Sequence, residues 1–169
     1  MKRREQIDPS LLHRTRQEQI TQTYQRFCER KFFIKAFNAF PDIVLVLDSN
    51  RQIIYANEYL LAYLGIQDVN TVLGKRVGEA FNCIHAEECP GGCGTTEACQ
   101  ECSAFQAIIN TQHGIEDHRQ IRLTVKTENG QRVLEFQVRA APLHIDPDVF
   151  TIFTIKGLPL KPLVKFAAN

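Results

Sequence analysis

The chain has 169 residues, 44% of them hydrophobic and 23% charged, which is enough for one folded domain with an extension. Twenty basic residues against nineteen acidic ones give a formal net charge of +1, without the basic excess typical of nucleic-acid binders. No apolar run approaches the roughly 18 residues of a membrane span, and no apolar run follows the basic start as in a signal peptide. We therefore expect a cytoplasmic protein that binds neither nucleic acid nor a membrane.

A long helix is the first predicted element. From Leu11 to about Phe33 the chain contains no Gly or Pro, and its apolar residues fall mostly on one stripe. The stripe has too few apolar residues to form a core alone. We therefore expect this helix to pack on its own domain or on a second copy of the chain. A second, shorter helix is predicted from Phe32 to Phe40, before Pro41.

A hairpin follows the helices. Two β-rich runs, 43–48 and 51–56, are separated by a two-residue turn. Asn57 can cap the next helix, which Gly65 ends. Shorter helical patterns continue to Phe81.

One helix and three strands complete the prediction beyond a loop rich in cysteine. Ser103–Thr111 has helical apolar spacing, and strands are predicted at 117–126, 132–141 and 149–156. The first two of these strands are joined by the turn Glu128-Asn129-Gly130. The order predicts the α+β fold class, with a five-stranded antiparallel sheet and helices inserted after the second strand.

Five of the six cysteines lie within the twenty residues 83–102. In a reducing compartment, thiols this close in sequence are more typical of metal sites or redox sites than of structural disulfides. The stretch Pro90-Gly91-Gly92 makes this segment a polar loop, which argues against packing as the only role of the thiols. The five cysteines are Cys83, Cys89, Cys93, Cys99 and Cys102.

Three of these cysteines form the predicted core of a metal site. Cys93 lies between two glycines, which free the backbone to turn. Cys99 and Cys102 form a Cys-x-x-Cys pair at a predicted helix start, where both sulfurs can point at one centre and backbone amides stabilise thiolates. Four thiolates satisfy either a tetrahedral Zn²⁺ ion or an iron–sulfur cluster, and the spacing does not separate the two.

Three short motifs accompany this order of strands and helices. They are Phe40-Pro41-Asp42-Ile43, Ile54-Tyr55-Ala56-Asn57 and Gly74-Lys75-Arg76-Val77-Gly78. Together with the long final hairpin, they resemble the PAS family of sensory domains over roughly residues 33–156. The resemblance implies a signalling module that binds a small ligand or cofactor between sheet and helices and dimerises through N-terminal helices.

The cysteines narrow the resemblance to a subset with a Cys-x-His step, then Gly-Cys-Gly-Thr, then Cys-x-x-Cys. In this chain these are Cys83-Ile-His85, Gly92-Cys93-Gly94-Thr95 and Cys99-Gln-Glu-Cys102. The resemblance implies Cys83 as the fourth ligand beside Cys93, Cys99 and Cys102. His85 and Cys89 are the alternatives, although Cys89 is not part of the pattern.

We therefore expect three regions. Residues 1–32 form a helical extension that dimerises, residues 33–157 form a PAS-like sensor domain with its cysteine-rich insert at 83–102, and residues 158–169 form a tail. From the resemblance and the cysteine cluster together we expect a homodimeric sensor that is not an enzyme. Its metal centre is expected to sense redox state, a gas or a small ligand and to relay it to a partner protein in trans. Two alternatives stay open: a purely structural zinc site, and a thiol-based redox enzyme supported only by the Cys-x-x-Cys pair.

Overall fold

In the described part of the chain, five strands form a single antiparallel sheet in the spatial order β2-β1-β5-β4-β3. The structure, a computed structural model, describes residues 8–158. Residues 1–7 of the predicted extension and 159–169 of the predicted tail lie outside this part. The strands are β1 (Ile43–Leu47), β2 (Ile53–Ala56), β3 (Asp117–Thr127), β4 (Gly130–Ile145) and β5 (Asp148–Lys156).

The sheet confirms the predicted fold class and both predicted hairpins. β1 is buried at every position because it lies between β2 and β5, which explains its continuous apolar run. β3 and β4 are joined by the two residues Glu128 and Asn129, with Thr127 paired to Gly130. Gly130 has a φ of 97°, which glycine adopts without steric cost.

Six helices accompany the sheet within residues 8–158, and four of them separate β2 from β3 in sequence. The predicted cap and stop of α3 are confirmed, because the Asn57 side chain accepts the Leu60 N–H and Gly65 has a φ of 68°. The predicted helical stretch after Gly65 is only a 3₁₀ turn, Val69–Thr71. The helices are α1 (Gln17–Cys28), α2 (Lys31–Ala39), α3 (Glu58–Leu64), α4 (Val77–Ala80), α5 (Glu97–Gln100) and α6 (Ser103–Gln112).

The predicted single helix from Leu11 to Phe33 is wrong at both ends. A 3₁₀ turn covers Pro9–Leu12, the next residues are extended to the start of α1, and α1 stops at Cys28 before a separate α2. Residues 11–15, which we call the strap, instead bond to the β1–β2 hairpin. The Thr15 N–H, for example, donates to Gln52 Oε1 at 2.6 Å. These tertiary hydrogen bonds replace the helical ones and outweigh the local helical preference.

The apolar stripe of α1 packs on its own domain, one of the two predicted possibilities. Ile20 is fully buried, and the Phe27 ring lies 5.1 Å from the Tyr55 ring of β2. Cys28 is half-buried at the end of the same helix. Dimerisation through this region stays a prediction.

Helix α6 covers β3, β4 and β5 and encloses the part of the core beneath the cysteine-rich segment. Phe81 and Phe136 are buried there, with ring centroids 6.3 Å apart. This arrangement places the cysteine loop at one end of the space between helices and sheet.

None of the helices formed within residues 8–158 combines the length and the apolar character that a membrane crossing needs.

Candidate functional site

The four cysteines of the predicted ligand set line one cavity. It measures about 320 Å³ and lies between helices α4–α6 and strands β3 and β4. Apolar side chains, among them Phe105 and Phe136, form another part of its wall. The structure therefore brings together Cys83, Cys93, Cys99 and Cys102, which are separated by up to nineteen residues in sequence.

Cys83 is fixed by the backbone of strand β3. It forms an isolated bridge with Val125, and its N–H donates to the carbonyl of Gly78 at 2.7 Å. Burial raises the pKa of the Cys83 thiol above its usual value, against a hydrogen bond that the His85 amide donates to the sulfur. This cysteine is therefore held rigidly at the cavity wall.

Cys93 packs so closely on α4 that only glycine fits opposite it. A Cβ at Gly78 would lie 2.7 Å from Cys93 Sγ, closer than real side chains approach. Gly92 and Gly94 have φ values of 77° and 88°, so the loop turns sharply on both sides of the cysteine. The Cys93 N–H donates to Glu79 Oε1 at 3.1 Å and anchors the loop to the same helix.

Cys99 is the most strongly hydrogen-bonded thiol of the group. Its sulfur accepts the Thr96 hydroxyl at 3.1 Å and the Gly94 N–H at 3.2 Å. A hydrogen bond from the Cys93 thiol is the largest of the effects that together lower the pKa of Cys99 to about 5. The same bond, with withdrawal from water, raises the pKa of Cys93 well above its usual value. Without a metal, the pair thus holds one thiolate and one thiol at neutral pH.

Cys102 completes the group at the start of α6. It is the N-terminal cap residue of that helix, and its N–H donates to the Cys99 carbonyl at 3.1 Å. The Cys-x-x-Cys pair is thereby fixed in one turn of backbone, as its spacing predicts.

Sequence reasoning missed a fully buried arginine behind the cysteine loop. Arg76 is 1% exposed, and its guanidinium donates only to backbone carbonyls, at 2.8–3.2 Å. Burial, with two neighbouring arginines, lowers the pKa of Arg76 to about 10. The five carbonyls belong to Leu11, His13, Asn50, Gly91 and Cys93. The one sequence cue was its position in the Gly74–Gly78 motif.

A second missed arginine, Arg51, lines the cavity itself. It is 4% exposed, and its guanidinium donates to the Leu11 carbonyl at 2.6 Å and lies over the Phe105 ring at 5.6 Å. Burial lowers the pKa of Arg51. Two guanidinium groups therefore make this end of the cavity positive, which favours an anionic occupant.

The alternative ligands and the remaining cysteine lie in different surroundings. His85 lines the cavity, but its ring is partly exposed and its Nδ1 is 2.8 Å from Glu88 Oε1. Cys89 does not line the cavity; it lies in a separate cleft of about 710 Å³. Cys28 is on α1. All six cysteines are free thiols.

The donor set fits a thiolate-bound inorganic group. Four sulfurs converge on one cavity, backbone amides donate to three of them, and two buried arginines offset negative charge. Across residues 8–158, however, no three or more His, Cys, Asp or Glu side chains are arranged to hold a metal ion. The four cysteines thus line the same cavity without forming a closed metal site.

Comparison with known families agrees with this fold. Residues 31–100 match a family model described as PAS domain, which supports the predicted relation to the PAS domain family for that part of the chain. The match does not distinguish the cysteine-rich subset. A search of curated proteins found no match.

Solved structures with similarity to this chain include PAS domains from several microorganisms. That of nitrogen regulation protein NR(II) from Vibrio parahaemolyticus is 15% identical, with a TM-score of 0.49 and coverage of 73% of this chain and 94% of that one. That of an HTR-like protein from Haloarcula marismortui is 17% identical, with a TM-score of 0.48 and coverage of 80% and 97%. A PAS domain from Colwellia psychrerythraea is 19% identical, with a TM-score of 0.48 and coverage of 75% and 93%.

Proposed function

We propose that the chain is a PAS-type sensor module in which Cys83, Cys93, Cys99 and Cys102 hold an iron–sulfur cluster. The observation that carries the proposal is that these four thiols line one cavity. When bound, such a cluster supplies one-electron redox chemistry and reactivity towards oxygen and other small gases. The module would therefore report redox or gas state and would not catalyse a reaction.

Charge supports a thiolate centre at this place. Four thiolates with their metal carry net negative charge, and burying an uncompensated anion is costly. Arg51 and Arg76 supply positive charge within the same buried region. The donors to Cys83, Cys93 and Cys99 add hydrogen bonds to sulfur, which stabilise thiolate ligands.

A sensing role favours a cluster over a single zinc ion, because Zn²⁺ has no redox chemistry and an iron–sulfur cluster does. A structural zinc ion would draw its four sulfurs to about 2.3 Å from the metal. Side chains arranged to hold one ion are missing from the described part of the chain, so either group requires the four cysteines that line the cavity to rearrange on binding.

A relay to a partner has a physical route through the strap. Arg76 donates to the carbonyl of Cys93 at 2.8 Å and to that of His13 at 2.9 Å, so one side chain joins loop and strap. Arg14 of the strap also pairs with Glu79, whose carboxylate accepts the Cys93 N–H. A change at Cys93 would shift the strap and the adjoining α1, which a second copy and a partner protein in trans would read.

Anaerobic purification tests the proposal. We expect brown protein that contains iron and acid-labile sulfide and loses its colour in air. Serine at any of positions 83, 93, 99 or 102 should strongly reduce the iron content, whereas Cys28→Ser and Cys89→Ser should retain it. Colourless protein with about one zinc per chain would favour the structural zinc alternative instead. Protein with neither metal would contradict the proposal.

The hydrogen-bonded pair Cys93 and Cys99 favours one second candidate, a thiol-based redox function. Oxidation of this thiolate–thiol pair to a disulfide would release one proton and pass two electrons to an oxidant. This candidate predicts metal-free protein from anaerobic cells and a reversible mass loss of about two hydrogens on mild oxidation. Both Cys93→Ser and Cys99→Ser should abolish that mass change.

A further inference from the structure

We infer that Arg51 is a positioning residue of the thiolate centre, offering its free Nε–H and its charge to the anionic group in the cavity. This inference rests on the proposed function. In this role Arg51 affects two properties of the site: the affinity of the cysteines for their metal, and the charge transfer from sulfur to metal.

The first observation is an unused hydrogen-bond donor. Among the buried side-chain nitrogen and oxygen atoms of residues 8–158, Arg51 Nε alone has no hydrogen-bond partner. A buried donor without an acceptor costs free energy, so native structures rarely keep one. An acceptor that enters the cavity would remove this cost.

The position of that donor relates it to the sulfurs. Arg51 lines the cavity together with the four cysteines. A Cβ at Gly94 would lie 3.4 Å from Arg51 Nε, so the nitrogen adjoins the residue whose own N–H donates to Cys99 Sγ. The absence of a side chain at Gly94 keeps the space beside Nε open.

The backbone at Arg51 gives a second, independent observation. Its φ is 66°, in the left-handed region that a hairpin turn normally gives to glycine or asparagine. An arginine at this position retains strain that a smaller residue would avoid. Strain of this kind is typical of side chains that serve a site.

Arg76 lacks the free donor that distinguishes Arg51. All three guanidinium nitrogens of Arg76 donate to backbone carbonyls, which assigns it to holding the loop and strap together. Leu11 and Phe105 contact other parts of the Arg51 guanidinium, and its Nε has no hydrogen-bond partner.

The test measures the metal affinity of protein from which the bound metal has been removed and whose cysteines are reduced. Zn²⁺ or Co²⁺ is added anaerobically in competition with a chelator, and the Co²⁺ form also gives the sulfur-to-metal charge-transfer band. We expect Arg51→Gln to weaken binding at least about tenfold and to shift the band, since it removes the charge next to an anionic centre. Arg51→Lys keeps the charge, so it should weaken binding less but still shift the band.

Arg122→Gln is the matched control, because Arg122 also lines the cavity but its side chain is 76% exposed, so solvent screens its charge. Wild-type affinity and band in both Arg51 variants would overturn the inference, as would equal losses in Arg51→Lys and Arg51→Gln. If Arg51→Gln does not fold, an unshifted band in Arg51→Lys overturns it. Anaerobically purified wild-type protein that contains neither iron with sulfide nor zinc would overturn the proposed function itself, which separates the two failures.

Discussion

Hydrogen-bond donors stabilise the Cys99 thiolate, and the Thr96 hydroxyl is the side-chain donor that can be removed without altering a cysteine. Its hydroxyl donates to Cys99 Sγ at 3.1 Å and accepts the Cys99 N–H at 3.2 Å. In the metal-free protein we expect Thr96→Val to raise the pKa of Cys99 from about 5 and Thr96→Ser to leave it nearly unchanged. Thiolate ultraviolet absorbance against pH measures the change.

The lowered pKa of Cys99 determines how the free energy of unfolding changes with pH. The pKa of Cys99 falls from 9.0 to about 5 on folding, so its thiolate adds stability that is complete above pH 9 and disappears as the pH falls towards 5. Urea unfolding across this range should show a smaller pH dependence in Thr96→Val. An identical dependence in both proteins would contradict the assignment of the thiolate to Cys99.

Gly78 tests how tightly the loop packs on α4. Alanine is the better helix former by about 1 kcal/mol. Overpacking against Cys93 Sγ, 2.7 Å from the new Cβ, costs about 1–3 kcal/mol. We expect Gly78→Ala to lower the free energy of unfolding of the metal-free protein by about 1 kcal/mol. In a double-mutant cycle, Cys93→Ala should remove most of this loss, and strictly additive effects would argue against the contact.

Three of the cavity cysteines could be grouped from the sequence and Cys83 from the family resemblance, whereas the arginines could not be found. Cys93, Cys99 and Cys102 are close in sequence, and local loop and helix geometry suffices to group them. Arg51 and Arg76 read as ordinary surface residues, because their burial depends on carbonyls contributed by segments far apart in the chain. No local pattern encodes such partners.

The strap is the element on which the proposed relay depends, and Arg76 connects it to the cysteine loop. Arg76→Met would leave five buried or half-buried carbonyls without their donor. We expect the free energy of unfolding to fall by about 3 kcal/mol and amide hydrogen exchange in residues 11–20 to rise. Arg122→Met, on an exposed part of β3, is the control.

One outcome would show that Arg76 stabilises the domain without coupling the cysteine loop to the strap. If Arg76→Met destabilised the whole domain while the strap kept its protection relative to the core, the strap would be held by Thr15 and its hairpin partners alone. Arg76 would then have no special part in joining loop and strap.

The predicted strands and turns were correct where local sequence signals were strong, and the predicted helix was wrong where tertiary contacts determine the conformation. The alternating strands and the Asn129-Gly130 turn were predictable because period and turn chemistry are local. The strap was predicted as helix, since its sequence contains no breaker after Pro9. Hydrogen bonds that Arg51 and Arg76 donate to the strap, and one that Gln52 accepts from it, hold it in another conformation.

For the molecule as a whole, we expect the metal centre and the strap to be thermodynamically linked. Removing the metal anaerobically with a chelator should increase hydrogen exchange in residues 11–20 as well as in 83–102, because Arg76 and Glu79 connect them. The distant β4–β5 hairpin near Leu143 and Phe150 should keep its protection. Increased exchange confined to 83–102 would contradict the relay.

The most direct test of the central claim is anomalous diffraction from crystals of anaerobically purified protein, recorded at the iron and zinc absorption edges. We expect an iron signal inside the cavity, bonded by the sulfurs of Cys83, Cys93, Cys99 and Cys102, with Cys89 and His85 unbonded. A zinc signal alone would reject the cluster. Four sulfurs facing a cavity without any metal, or paired as disulfides, would contradict the account altogether.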